Sequence, residues 1–257
     1  MSLIEALILG LVQGFTEFLP ISSSSHLQFT RWLLDLPGGG SKYFDLVCHA
    51  GTVCAAMIYL RTSILDLFKN PQRLAIFSLS LIPLVPVYFL AKDLRASLDH
   101  PYYIGFGLLI TSALLGLSYL LRIQTRDIKD LKWQDMLWIG FMQTLAFIPG
   151  ISRSGSTIAA ARVRGLPWIE AARFSFILSI PTILGGQCLE TIKLFQQKDP
   201  VTLLPCSCYF IGFISAFFFG LLSIHWVFRI YQSARAVPLL ACYCALTGLL
   251  ALGLFHA

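Results

Sequence analysis

Glu17, His26 and Arg153 stand out in a chain of 257 residues of which only 12% are charged and 56% are hydrophobic. Gln13 and Glu17 are four positions apart, so on a helix their side chains share one face. Ser22, Ser23, Ser24 and Ser25 follow Pro20 and lead into His26, placing hydroxyls and free backbone N–H groups together where a helix starts. Such an end receives an anion, typically a phosphate, whereas capping alone needs one serine. Ser152, Arg153, Ser154, Ser156 and Thr157 repeat the arrangement and add a guanidinium, whose planar fork suits phosphate oxygens. His26 could shuttle a proton, attack phosphorus or satisfy a buried hydrogen bond. The plainer alternatives are a neutral Glu17 hydrogen-bonded between helices, and an Arg153 that does no more than pair with it. His49, His100, His225 and His256 lack a comparable polar neighbourhood and read as structural, His49 being the weakest case.

The elements that position these residues must be helices in a bilayer. A mean hydropathy of +0.74 leaves too little polar surface to coat a water-soluble domain of this size. Six apolar stretches are long enough to be spans, at about 44–60, 74–91, 102–121, 168–190, 201–226 and 238–256. Residues 1–20 contain no Lys or Arg and carry Glu5, Gln13 and Glu17, so a retained segment is expected there in place of a removable signal peptide. The seven cysteines lie in apolar segments without metal-ligand spacing and read as packing residues. The net charge of +6 collects in short loops between apolar runs, which fits membrane topology and argues against nucleic acid as a partner.

An ungapped offset of 130 aligns Gly10 with Gly140, Gln13 with Gln143, Ile21 with Ile151, Ser22 with Ser152 and Ser24 with Ser154. Each copy reads as a short apolar helix, a break at Pro20 or at Pro149 and Gly150, a serine-rich turn and a second short helix. Short interrupted helices at matching places predict two re-entrant hairpins, at about 2–36 and 134–166. Three spans between them predict that the second hairpin enters from the opposite face. The expected architecture is therefore an all-α polytopic membrane protein: one membrane domain of two inverted-topology repeats (about 1–121 and 131–257), with about six spanning helices and two re-entrant hairpins. Of the 19 Lys and Arg residues, one side collects twelve, among them Arg61, Arg122, Arg126, Arg162 and Arg229, and the other side six. Arg153 alone is left at depth. The richer side should be cytoplasmic, with both termini on the outer face.

The segments Gln13-Gly14-Phe15-Thr16-Glu17-Phe18-Leu19-Pro20-Ile21-Ser22-Ser23 through His26, and Pro149-Gly150-Ile151-Ser152-Arg153-Ser154-Gly155-Ser156-Thr157, resemble the two signatures of the undecaprenyl-diphosphate phosphatases, also called bacitracin resistance proteins. The resemblance covers essentially the whole chain. It implies a bacterial inner-membrane enzyme that removes the terminal phosphate of undecaprenyl diphosphate and so recycles the lipid carrier used for cell-wall precursors. It also implies a site open to the outer face and a divalent cation, magnesium or calcium. Carried over by position, Gln13 and Glu17 match the acidic motif and the metal site, Ser23 and His26 the reactive pair, and Arg153, Ser154 and Thr157 the phosphate-binding stretch. The sequence departs from that pattern twice: Gln13 stands where Glu is common, leaving one carboxylate for the metal, and Ser25 stands where a glycine is expected before His26.

The expected division of labour gives catalysis to His26, Ser23, Glu17 and Arg153, phosphate binding to Ser22, Ser24, Ser152, Ser154, Ser156 and Thr157, and the cation to Glu17 and Gln13. Either His26 attacks or activates the nucleophile, or Ser23 attacks with His26 as its base. The expected partners are a polyprenyl diphosphate lipid and the membrane, and a homodimer is also open to such a chain. A lipid flippase or transporter is the rival class, since inverted repeats with broken helices serve those proteins as well. The other class of membrane lipid phosphatases needs a further histidine soon after its Ser-Arg pair; none lies between Arg153 and His225.

Overall fold

The computed structural model describes residues 1–36, 42–98, 100–121, 126–196, 204–233 and 235–255. Arg122, residues 201–203 and His256 lie outside these. Among the described residues every regular element is a helix, and the protein is a polytopic membrane protein with five helices long and apolar enough to span, or six if one bent pair counts as one span.

The first hairpin is α1 (Leu3–Phe18) and α2 (Ser23–Leu33). A capping box starts α1: the Ser2 hydroxyl accepts from the Glu5 N–H and the Glu5 carboxylate accepts from the Ser2 N–H. Pro20 cannot continue the helix, and the chain turns back through Ser22, whose φ of 69° is unusual for a residue with a side chain.

Two spans of the first half depart from the expected straight helices. The segment expected at 44–60 is α3 (Lys42–Tyr59), which bends by 75° into α4 (Arg61–Phe68). The one expected at 74–91 is α5 (Pro71–Ser78), a 3-10 turn at 79–81 and α6 (Leu84–Ser97). Pro83 and Pro86 lack the N–H groups that would carry an unbroken helix through this stretch. The third span is α7 (Pro101–Leu120).

The second hairpin is α8 (Trp133–Thr144), a 3-10 turn at 145–147 and α9 (Arg153–Val163), close to the expected 134–166. Three long helices follow: α10 (Trp168–Gln196), α11 (Cys206–Ile230) and α12 (Ala236–Leu254). Their exposed leucines and phenylalanines, such as Phe210, Leu239 and Leu246, give an apolar outer surface suited to lipid.

Each hairpin is seated on the second span of the other half. A Cβ at Gly10 of α1 would lie 2.7 Å from the Gly212 carbonyl oxygen of α11, and a Cβ at Gly140 of α8 only 2.3 Å from the Ser80 carbonyl oxygen in the break between α5 and α6. Small residues let the backbones come this close, which is how helices associate where lipid is as apolar as leucine. The third spans, α7 and α12, pack on each other, and the Ser112 hydroxyl donates to the Ala241 carbonyl.

Candidate active site where the two hairpins meet

The hairpin tips meet through polar groups. Arg153, first residue of α9, donates from Nη2 to Glu17 Oε1 at 2.5 Å, and the Ser154 hydroxyl donates to the Leu19 carbonyl at 3.0 Å. Glu17 is buried in α1, and its other oxygen accepts from Gln13 Nε2 at 2.8 Å and from the Ser23 hydroxyl at 2.7 Å. The spacing of four that puts Gln13 and Glu17 on one face is thus realised as a direct hydrogen bond.

Arg153 uses only half of its fork on Glu17. Nη1 is buried without a partner among the described residues, and so is Gln13 Oε1. Buried polar atoms are normally satisfied, so the unpartnered guanidinium nitrogen beside serine-rich helix starts is a donor with bonding capacity to spare.

His26 sits one turn into α2. Its Nδ1 donates to the Ser22 carbonyl at 2.8 Å, which leaves Nε2 as the atom with the lone pair. The Tyr243 hydroxyl of α12 donates to that lone pair at 2.7 Å, and the two rings stack with centroids 5.7 Å apart. The strained φ of Ser22 aims its carbonyl at the ring one turn ahead; such outliers persist where the surroundings over-determine them.

The serines before His26 divide between accessible and buried positions. Ser23 is half-buried and Ser24 exposed, whereas Ser22 and Ser25 are buried and bonded to one another, Ser25 donating to the Ser22 hydroxyl oxygen. Ser22 makes no side-chain capping bond to α2; Ser152 does cap α9, accepting from the Gly155 N–H. Ser156 donates to the Ser152 carbonyl, and Thr157 to the Arg153 carbonyl while also bonding the Ser175 hydroxyl of α10. Both are buried and committed to holding the start of α9. The Ser152 N–H in turn donates to Thr111 Oγ1 of α7.

Sequence reasoning missed four of these supports. Thr111, Ser175 and Tyr243 come from helices without a motif, and only the fold brings them in. His49 reads as structural in the sequence, as the weakest case of the four histidines, and in the structure its Nδ1 is 2.8 Å from Gln13 Nε2 and 3.6 Å from Glu17 Oε2. A signal was available: Asp45 and His49 form a polar stripe at a spacing of four in an expected span, and Asp45 pairs with Arg31 of α2.

No group of three or more His, Cys, Asp or Glu side chains among the described residues could hold a metal ion. Glu17 already accepts at both oxygens, and Gln13 Oε1 is a buried acceptor left without a partner among the described residues. These groups do not make a resident cage; a cation held by them would need most of its oxygens from water and a bound ligand.

This geometry can be set beside known proteins. The family model described as Bacitracin resistance protein BacA matches residues 6–250. The chain belongs to this family. Curated relatives agree along their full length: an undecaprenyl-diphosphatase of Bacteroides thetaiotaomicron is 35% identical over 260 residues, covering 97% of each chain. One of Protochlamydia amoebophila is 37% identical over 255 residues, again covering 97% of each. The undecaprenyl-diphosphatase 4 of Bacillus cereus strain ZK / E33L is 35% identical over 257 residues, covering 99% of this chain and 98% of the other. The BacA match spans both hairpins and both halves, so the meeting of Glu17 with Arg153 lies inside the family region.

Proposed function

We propose that this chain is a membrane undecaprenyl-diphosphatase, releasing inorganic phosphate from undecaprenyl diphosphate and leaving undecaprenyl phosphate. The observation that carries it is the unpartnered Arg153 Nη1, buried where Glu17, Ser23 and the start of α9 converge. A diphosphate needs its charge met by fixed donors, and a guanidinium braced by Glu17 with one free edge supplies one. The names of the relatives favour this phosphatase reading over the flippase.

In this reading Arg153 Nη1, Ser23, Ser24 and the N–H groups opening α9 hold the terminal phosphate. His26 Nε2 attacks its phosphorus once the Tyr243 hydroxyl swings aside; the bond to the bridging oxygen breaks and the lipid monophosphate leaves. Water then takes the phosphoryl group from Nε2. The Ser22 carbonyl keeps the proton on Nδ1 throughout, so the attacking nitrogen is always the one that faces Tyr243. Ser23 is the second candidate nucleophile, and the observation that favours it is its hydrogen bond to Glu17; among the described residues Ser23 and His26 share none, so its base would be Glu17. Trapping the intermediate separates the two: acid-labile phosphate on His26 is expected, and acid-stable phosphate on Ser23 overturns the assignment.

Phe29 stacks on Phe255 with centroids 6.1 Å apart, and the exposed Trp32 meets the same ring edge-on at 5.3 Å. These aromatics lead from His26 toward the lipid and offer a surface for the polyprenyl chain. Gln13 Oε1 and Glu17 are the groups that would hold a divalent cation, Mg or Ca, which would supply charge neutralisation to the diphosphate. Chelation should therefore stop phosphate release without lowering the melting temperature.

We further propose the bacterial inner membrane as its location, with both termini on the outer face, a reading supported by the excess of Lys and Arg on the opposite side, and a homodimer as an assembly open to it. The reciprocal seating of Gly10 on α11 and Gly140 on the α5–α6 break supports two inverted repeats related by a pseudo-twofold axis.

A further inference from the structure

We infer that His49 is a substrate-binding residue of this site, donating from Nε2 to a diphosphate oxygen, with its tautomer fixed by Gln13. The inference rests on the phosphatase reading and extends it to a residue outside both signature motifs.

The argument begins at Arg153. Its contact with Glu17 Oε1 makes Glu17 a charged acceptor, and a charged acceptor beside the Gln13 amide fixes which end of that amide faces it. The NH2 end must point at Glu17 Oε2, because the carbonyl end would set two acceptors 2.8 Å apart. That same nitrogen lies 2.8 Å from His49 Nδ1. Two N–H bonds are available on it: one goes to Glu17 and the other to His49, so Nδ1 accepts and the imidazole proton resides on Nε2. The buried, unpartnered Gln13 Oε1 is the other consequence of this orientation.

Nε2 is the end of the ring away from Gln13, and it has no hydrogen-bond partner among the described residues. The His49 side chain is 30% exposed, against 5% for that of Glu17, and Gln13 is fully buried. A donor whose tautomer is set by Gln13, on a partly exposed side chain whose Nδ1 lies 3.6 Å from the carboxylate that braces Arg153, is placed to meet a second phosphate oxygen. Its mount is rigid. The Thr52 hydroxyl donates to the His49 carbonyl, and Gly51 lets α3 approach α11 so closely that a Cβ there would lie 2.6 Å from the Phe213 carbonyl oxygen. Arg153 and His49 would then approach the diphosphate from different helices, α9 and α3, with Glu17 and Gln13 as the shared brace.

Two substitutions separate binding from structure. In His49→Gln the amide nitrogen can occupy the place of Nε2, whereas in His49→Asn it reaches only that of Nδ1. The test is phosphate release from a long-chain polyprenyl diphosphate by purified protein in detergent, with melting temperatures of both variants. Loss of one hydrogen bond to a charged group predicts that His49→Asn raises KM about tenfold, with kcat and melting temperature near wild type, and that His49→Gln recovers most of the change. An unchanged KM in His49→Asn overturns the inference, as does equal impairment of both variants together with a lower melting temperature. Wild-type protein that releases no phosphate overturns the phosphatase reading itself, which is a different failure.

Discussion

Arg153 and Glu17 join the two hairpins across 136 residues of sequence, and the contact uses one Nη of the guanidinium while leaving the other buried without a partner among the described residues. Lysine cannot do both. Its single ammonium would be drawn to Glu17, leaving nothing fixed for the phosphate. Arg153→Lys should therefore lower kcat/KM for phosphate release by about a hundredfold or more, with a modest change in melting temperature. Arg153→Ala strands Glu17 as a buried charge and should also destabilise the protein by about 3 kcal/mol. Pairing it with Glu17→Ala should recover part of that stability and none of the activity. Equal melting temperatures for the single and double variants would count against the pair as the link between the hairpins.

His26 is held from three sides, by the Ser22 carbonyl, the Tyr243 hydroxyl and the Tyr243 ring, and these holds do different work. The carbonyl alone sets the tautomer, while the hydroxyl covers the lone pair that must attack. Tyr243→Phe keeps the stacked ring and uncovers Nε2, so its rate should stay within about threefold of wild type or rise. Tyr243→Leu removes the ring that fixes the imidazole plane and should lose about tenfold, since a misplaced reacting atom is costly. Single-turnover rates for the two variants check this order; a collapse in Tyr243→Phe comparable to His26→Ala would mean that the hydroxyl itself takes part.

Much of this site was legible because its two halves are short, dense in polar residues and set in apolar runs. Gln13, Glu17, Ser23 and Arg153 were found that way, and the structure brings them together. Ser154, Ser156 and Thr157 read as phosphate ligands in the sequence, but all three are buried at the start of α9 and their hydroxyls bond to backbone carbonyls. Residue type does not reveal facing when every neighbour is a small polar residue. Tyr243 and Thr111 carry no such signal for a different reason: each is one of a few scattered polar groups in an apolar span, and what it touches is decided by packing. The break between α5 and α6 had its signal in Pro83 and Pro86, which hydropathy alone passes over.

Gly140 has no room for a side chain. A Cβ there would lie 2.3 Å from the Ser80 carbonyl oxygen and 2.8 Å from its carbon, and both are backbone atoms that cannot rotate away. Gly140→Ala must push α8 off the α5–α6 break, costing about 1–3 kcal/mol as an overpacked contact does. The expected outcome is a clear drop in melting temperature. Since α8 leads directly into the turn that presents Arg153, KM should also rise. Gly116 has nothing near its Cβ position, so Gly116→Ala is the matched control and should leave both quantities unchanged.

Asp135 clasps the second hairpin at its entry, and its charge should be visible in the pH dependence of stability. Burial works against that charge, but the Lys132 N–H, Arg164 and Arg126 outweigh it and hold the carboxyl below its ordinary value of 3.8. A carboxyl depressed on folding binds its proton more readily in the unfolded chain, so its contribution to stability is fully present above that ordinary value and is lost as pH falls through the lower folded one. Wild-type melting temperature should thus lose this contribution only on acidification below about 4, following the ordinary carboxylate range. Asp135→Asn should be less stable than wild type at neutral pH, because Arg126 and Arg164 lose their shared partner, and the gap between the two proteins should narrow steadily in acid. A gap that stays constant from neutral pH down to the acid limit would show that Asp135 contributes by shape alone.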